Sequence, residues 1–127
     1  MYEGNINVVS ELISSYAWDT ALNYICQTNS LGYTLATTSN NSYANIGTGT
    51  RYNTGEYAAD NYSKIHDLLG NCWEWTTEYC DMNFNPSVTR GGAYAYNLSD
   101  STAELRHETD GNSSDSYYSF RVQMYVK

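Results

Sequence analysis

Basic residues are scarce in this sequence. Six lysines and arginines stand against 14 aspartates and glutamates, so the 127-residue chain carries a net charge of −8. The six are scattered, and they form no basic stripe that would neutralise the phosphates of a nucleic acid or the headgroups of an anionic membrane. We therefore expect neither nucleic acids nor anionic membranes as partners.

Long hydrophobic runs are also missing. No segment approaches the roughly 20 apolar residues of a membrane-spanning helix. The first residues, Met1 to Gly4, lack the basic start and apolar stretch of a signal peptide. We therefore expect no membrane insertion, and a protein made in the cytoplasm without a signal peptide.

Cysteine is rare and odd in number. Cys26, Cys72 and Cys80 show no metal-ligand spacing. Three reduced thiols suit a protein made in the cytoplasm, and a single Cys72–Cys80 bridge is the alternative. The pattern predicts no metal site built on cysteine.

Tyrosine, by contrast, is abundant. The chain has 14 tyrosines against three tryptophans and two phenylalanines, and its length predicts a single domain over residues 1–127. Tyrosine supplies rigid, amphipathic contact area, which recognition surfaces favour. The alternative is that tyrosines fill half-buried strand positions. For the cluster near the C-terminus we favour recognition.

One helix is predicted near the N-terminus. Ser14 or Ser15 can cap it, and it should end near Asn29. Because Trp18 lies on its apolar face, we expect that side chain in the core. The apolar residues recur at helical spacing, namely at Trp18, Ala21, Leu22 and Ile25.

The rest of the chain predicts loops and strands. Residues 30–63 are rich in Thr, Ser, Asn, Gly and Tyr without a sustained period, which indicates long loops with at most a short strand. Alternation predicts strands over residues 72–76, 88–94 and 119–126. Trp73 and Trp75 should share the core side of their strand, and Phe120 and Val122 should point inward. The expected fold class is α+β with a short antiparallel sheet.

Several motifs resemble, in order, the signatures of the formylglycine-generating (sulfatase-modifying) enzyme family. They are Asp67–Thr76 (DLLGNCWEWT), Thr89–Tyr94 (TRGGAY), Arg106 and Ser119–Val122 (SFRV). The resemblance runs from about residue 12 to the C-terminus and implies a C-type-lectin-like fold with one main helix and long loops. The family has a further strand and helix before that helix, so this chain is either a shortened domain or the C-terminal part of a longer protein.

The resemblance also implies what chemistry is missing. Oxidase members of the family bind copper(I) through two cysteines just beyond the Arg-Gly-Gly segment, and those positions are Tyr96 and Ser101 here. A phenol and a hydroxyl do not replace the soft thiolates that copper(I) prefers. His66 and His107 alone supply no iron site. We therefore expect no catalytic residues and no cofactor except calcium, which family members often hold; Asn71 is the candidate ligand.

The segment between Gly92 and Phe120 has the composition of a recognition surface, rich in Tyr, Ser, Asn and Asp. It resembles the variable segment of proteins that retroelements diversify in phages and bacteria, and the helix resembles that of lectin-like phage modules. A solvated low-complexity loop is the alternative. Arg90-Gly91-Gly92 and Phe120 to Val122 are expected to be scaffold, and Arg106 to pair with an acid.

The resemblance therefore implies a non-catalytic receptor-binding or adhesin module, displayed on a virion or particle as part of a larger or oligomeric protein. Its expected partner is a host cell-surface protein or glycan. An atypical family enzyme and a structural module of a larger assembly are the alternatives. The expected ligand-binding residues are Tyr94, Tyr96, Asp100, Ser101, His107, Asp110, Asp115 and Tyr117.

Overall fold

The computed structural model describes residues 7–81, 86–96 and 101–126. They form an α+β architecture, as predicted, and no helix among them is long and apolar enough to cross a membrane. The helices are α1 (Ser15–Thr28) and α2 (Thr34–Thr37), with a 3₁₀ turn at Ala58–Asp60. The strands are β1 (Val8–Leu12), β2 (Asn61–Tyr62), β3 (Ile65–His66), β4 (Trp73–Tyr79), β5 (Ser87–Arg90), β6 (His107–Thr109), β7 (Tyr118–Phe120) and β8 (Val122–Val126).

The central sheet has four strands in the order β6-β5-β4-β7. β5 runs antiparallel to β4 and β6, but β7 runs parallel to β4, so the sheet is mixed rather than purely antiparallel. β1 and β8 form a separate antiparallel pair, and β2 and β3 form another. The second predicted strand, over residues 88–94, ends at Arg90, because Gly91 and Gly92 adopt positive φ angles.

Helix α1 confirms the sequence prediction closely. Ser14 caps it by accepting a hydrogen bond from the Ala17 amide at 3.2 Å, and Asn29 follows its last turn. Trp18 is fully buried. The other core residues come from α1, from α2, from the loops and from the motif before β4, and they include Leu22, Ile25, Leu35, Ile46, Leu68, Leu69 and Ala103.

The predicted last strand is in fact two strands that belong to different sheets. Arg121 interrupts it, because its guanidinium turns in to pair with Glu74 at 2.7 Å and donates to the His66 carbonyl at 2.8 Å. Beyond this point the chain leaves the central sheet. Phe120 and Val122 are 69% and 47% exposed, so the prediction that they point inward is wrong.

Strand β4 is covered on both of its faces. Glu74 points towards α1 and is buried there, whereas Trp73 lies on the opposite face and is also buried. Trp75 is only half-buried, so the prediction of two core tryptophans holds for Trp73 alone. The sheet therefore separates a helix-facing side from a second side that carries aromatic rings.

Candidate ligand-binding site

A buried polar cluster holds the helix-facing side together. Trp18 Nε1 donates to Glu74 Oε2 at 3.0 Å, and Arg121 Nε donates to the same oxygen at 3.0 Å. Burial raises the pKa of Glu74, while the Arg121 charge and these hydrogen bonds oppose that rise. The carboxylate thus links helix α1 to the point where β7 and β8 separate, which makes the cluster part of the scaffold.

A second group of charges extends this scaffold to the surface. The Arg90 guanidinium lies 4.6 Å from the centre of the Trp18 ring and pairs with Asp19. Arg106 pairs with Asp19 and, at 3.0 Å, with Glu78. The expectation that Arg106 pairs with an acid is confirmed, and Arg90 belongs to the scaffold as predicted.

The opposite side of the sheet carries a connected row of aromatic rings. Trp75 lies 5.1 Å from Tyr118, Tyr118 lies 4.9 Å from Tyr117, and Tyr117 meets Tyr96 edge-on at 5.1 Å. These centroid distances are those of favourable aromatic pairs. Trp75, Tyr96, Tyr117 and Tyr118 are called the aromatic face below.

The loop between β6 and β7 is fixed to the body mainly around Ser116. The Tyr94 and Ser116 hydroxyls are hydrogen-bonded at 2.9 Å, and Arg51 Nη1 donates to the Ser116 carbonyl at 3.2 Å. The Trp73 amide donates to the Tyr117 carbonyl at 2.8 Å. The backbone below the aromatic face is therefore held in place; Tyr96 is exposed, and the other three rings are half-buried.

Four of the eight predicted ligand-binding residues come together here. Tyr96 and Tyr117 contact each other, and Tyr94 joins them through Ser116. The Tyr117 hydroxyl donates to Asp115 at 2.7 Å, and hydrogen bonding to Tyr96 and then to Asp115 raises the pKa of Tyr117. The single phenolic hydrogen of Tyr117 is thus engaged by Asp115, which fixes the orientation of the hydroxyl.

The other four predicted ligand-binding residues are Asp110, His107, Ser101 and Asp100. Asp110 is exposed in the same loop, but its carboxylate accepts hydrogen bonds from the Asn112 amide and, at 2.8 Å, from Ser113. His107 stacks on Trp73 at 4.8 Å and is half-buried. Ser101 is fully buried beneath Gly92, so its assignment as a ligand contact is wrong. Asp100 lies outside the described residues.

The sequence pattern of the Sulfatase-modifying factor enzyme 1-like domain matches residues 10–125. The chain belongs to this family. The match extends from β1 to β8 and confirms, at the level of the family, the resemblance carried by the Trp-Glu-Trp and Arg-Gly-Gly motifs. No curated protein is significantly similar to the chain.

The calcium ligand expected in this sulfatase-modifying-factor-like domain does not fit. Asn71 Oδ1 already accepts hydrogen bonds from Asn45 Nδ2 and the Tyr52 amide, both at 3.1 Å, so neither lone pair is left for a cation. Its Nδ2 donates to the Tyr52 carbonyl. The prediction for Asn71 is therefore corrected: the amide holds the loop at residue 52.

Sequence reasoning missed a neighbouring carboxylate. Asp67 Oδ2 accepts a hydrogen bond from the Gly55 amide at 3.0 Å, whereas its buried Oδ1 has no hydrogen-bond partner. One spare oxygen is far from the six to eight that calcium takes. The described residues contain no cluster of three or more His, Cys, Asp or Glu side chains suited to a metal ion.

A buried acid beside this region predicts an unusual pH dependence of stability. Asp60 accepts hydrogen bonds from the Asn45 amide on both oxygens, at 2.8 and 2.9 Å. Burial, aided by the charge of Asp67, raises the pKa of Asp60 from 3.8 to about 8. The folded state therefore holds the Asp60 proton more tightly than the unfolded state does. The contribution of this protonated carboxyl to folding stability is complete below pH 3.8 and is lost as the pH rises to about 8.

We expect Asp60→Asn to remove this loss. The amide oxygen still accepts from Asn45, but it cannot ionise. In thermal melts, the midpoint of the variant minus that of the wild type should increase from pH 5 to about pH 8 and stay constant above it. A difference that is the same at every pH would contradict the raised pKa of Asp60.

Proposed function

We propose that this chain is a non-catalytic ligand-recognition module whose contact surface is the aromatic face together with Tyr94, Asp110 and Asp115. The observation that carries the proposal is the connected row from Trp75 to Tyr96, which ends at rings that reach solvent; Tyr96 is 37% exposed. Aromatic anchors of this kind supply most of the binding energy at interfaces. The nearby acids would set specificity.

The separation of the scaffold residues from the proposed contact residues, on opposite sides of the sheet, supports this assignment. The Trp18–Glu74–Arg121 cluster stabilises the helix-facing side, and no member of the aromatic face takes part in it. Residues that contact a ligand can therefore change without breaking the scaffold. A recognition module needs this separation.

We also propose a fold type and a biological role for this module. We infer a C-type-lectin-like fold and a phage or prophage receptor-binding or adhesin domain, whose surface a retroelement diversifies. The chain would be made in the bacterial cytoplasm and displayed on a virion or particle, with a host cell-surface protein or glycan as its partner. The Tyr, Ser, Asn and Asp composition between Gly92 and Phe120 supports this inference.

One feature favours an atypical enzyme as the second candidate. A cleft of about 420 Å³ lies beside β7, and Cys72 and Glu74 are among its lining residues, with Arg51 and Arg121. However, burial raises the pKa of the Cys72 thiol, which opposes the reactive thiolate, and Glu74 is held by Trp18 and Arg121. The cleft thus supports catalysis less well than the aromatic face supports recognition.

The proposal predicts that binding and stability separate on mutation. We expect the double variant Tyr96→Ser/Tyr117→Ser to stay folded and to lose binding to host cells. As a control, Tyr16→Ser/Tyr24→Ser removes two exposed tyrosines of α1, 84% and 52% exposed, and should bind like the wild type. Flow cytometry of the labelled chain on a panel of bacterial cells measures binding, and thermal melts report folding.

Two results would contradict this function. Equal cell binding by both double variants would show that the aromatic face is not the contact surface. A stoichiometric copper(I) site that competes with a strong chelator, and that is lost on changing Tyr96 or Ser101, would overturn the non-catalytic assignment.

A further inference from the structure

The cleft beside β7 contains a buried carboxylate oxygen without a hydrogen-bond partner. Asp67 lines this cleft of about 420 Å³ and is only 7% exposed. Its Oδ2 accepts a hydrogen bond from the Gly55 amide at 3.0 Å, but its Oδ1 accepts none. Because buried polar side chains are almost always hydrogen-bonded, an exception of this kind marks a position where a donor from outside the chain can bind.

The Asp67 carboxylate is also without a countercharge from the chain. Glu74, the other acid that lines the cleft, is paired with Arg121 at 2.7 Å. None of the ion pairs among the described residues includes Asp67. An unpaired charge is costly to bury, and a cation that donates a hydrogen bond supplies both the countercharge and the partner. The cleft therefore favours a ligand with a positively charged N–H donor.

The backbone holds this carboxylate in one place. Asp67 has a φ of +54°, and its amide donates to the Asp60 carbonyl at 3.1 Å. Together with the Gly55 contact on Oδ2, these restraints fix the position of the side chain. A ligand therefore meets an acceptor that is already ordered, which lowers the entropic cost of binding.

Aromatic rings line the same cleft. Tyr52 and Tyr118 are half-buried, and Phe120 is 69% exposed. Such rings offer apolar area to the body of a ligand, and their faces attract cations. The volume of the cleft lies within the roughly 300 to 1,000 Å³ that is typical of small-molecule sites. The cleft thus suits a small molecule that carries both an apolar body and a cationic nitrogen.

The two arginines that line the cleft do not exclude a cation. The charge of Arg121 is compensated by Glu74, and Arg51 is exposed, so that water and salt screen its charge. The rest of the molecule favours a cation, because a net charge of −8 raises the local concentration of positive ligands. An anionic ligand would instead meet Asp67 as an unpaired like charge.

We propose that this cleft binds a small primary amine, whose ammonium group donates to Asp67 Oδ1 and whose apolar body lies against Tyr118 and Phe120. The nitrogen must keep its hydrogens, because a carboxylate oxygen accepts hydrogen bonds and a quaternary ammonium donates none. Of the four residues of the aromatic face, Tyr118 alone also lines the cleft. The proposal therefore does not depend on what the aromatic face binds.

Three related probes test the site by nuclear magnetic resonance titration of the nitrogen-15-labelled chain at neutral pH. The Gly55 amide signal is the reporter, because this amide donates to the Asp67 carboxylate. We expect benzylamine to shift the signal with a Kd on the order of 1 mM. Benzyl alcohol has no charge and benzyltrimethylammonium has no N–H donor, so each should bind at least about tenfold more weakly.

Two variants test the carboxylate itself. Asp67→Asn should weaken benzylamine binding at least about tenfold, because it removes the charge. Asparagine tolerates the left-handed backbone and keeps an acceptor for the Gly55 amide. Glu56→Gln is the matched control, since it removes one charge from an exposed acid that does not line the cleft, and it should bind like the wild type.

Several results would overturn the proposal. Equal binding of benzyl alcohol would show a merely apolar site, and equal binding of benzyltrimethylammonium would show that no N–H donor reaches Asp67. Unchanged affinity in Asp67→Asn, or an equal loss in Glu56→Gln, would contradict the role of this carboxylate. Micromolar calcium that shifts the Gly55 signal and displaces benzylamine would assign the spare oxygen to a metal site. If Asp67→Asn does not fold in thermal melts, the comparison of the three probes on the wild type decides.

Discussion

Gly92→Ala should yield little or no folded protein. A Cβ at this position would lie 2.2 Å from the backbone oxygen of Ser101, and the residue has a φ of +82°. Both the steric overlap and the left-handed backbone penalise alanine, and the neighbour is backbone, which cannot swing aside. We expect a loss of more than about 4 kcal/mol in the free energy of unfolding, a large part of a typical domain's stability.

Gly49→Ala is the matched control for this variant. Gly49 has a similar φ of +75°, but a Cβ there meets nothing within 4 Å. Alanine should therefore cost only the backbone strain, about 1 to 2 kcal/mol. Urea unfolding followed by circular dichroism measures both variants. If they are equally stable, the close approach of the Gly92 and Ser101 backbones is contradicted.

Glu74→Ala should be the most damaging loss of a charge. It leaves the Arg121 guanidinium and the buried Trp18 Nε1 without their acceptor. Removing one partner of a buried ion pair costs about 3 to 5 kcal/mol, because the other charge remains desolvated. We expect the free energy of unfolding to fall by this amount.

Glu78→Ala offers the comparison on the same strand. Glu78 also pairs with an arginine, Arg106, but that arginine is 47% exposed. An ion pair near the surface contributes about 1 kcal/mol or less. Chemical unfolding of both variants tests the difference. A cost for Glu78→Ala that matches or exceeds that of Glu74→Ala would show that the buried cluster does not hold the helix to the sheet.

The Gly92 contact also explains why Ser101 was misplaced by sequence reasoning. In the chain the two residues are separated by a Tyr-rich, polar segment that resembles an exposed loop. The fold returns the chain beneath Gly92, where the missing side chain leaves room for the Ser101 backbone. A serine in a polar segment is compatible with an exposed loop and also with a buried position under a glycine. Composition alone therefore does not predict which of the two Ser101 occupies.

The end of the chain shows a similar limit. Alternation correctly predicted extended structure over residues 119–126, but not the break at Arg121. The break arises because the guanidinium reaches Glu74 and the His66 carbonyl, which are distant in sequence. After β7 the chain leaves the central sheet, and the apolar residues of β8 face solvent instead of the core.

The sequence by itself determined the features that depend on local spacing and ordered motifs. These are helix α1 with its Ser14 cap, the burial of Trp18, the α+β class and the family. Only the tertiary structure decided which polar groups are left for a ligand. The Asn71 side chain is hydrogen-bonded to the loop at residue 52, and the rings of Tyr96 and Tyr117 contact each other. The reason is physical. A helix repeats every few residues, whereas hydrogen-bond partners and ring contacts join residues far apart in the chain.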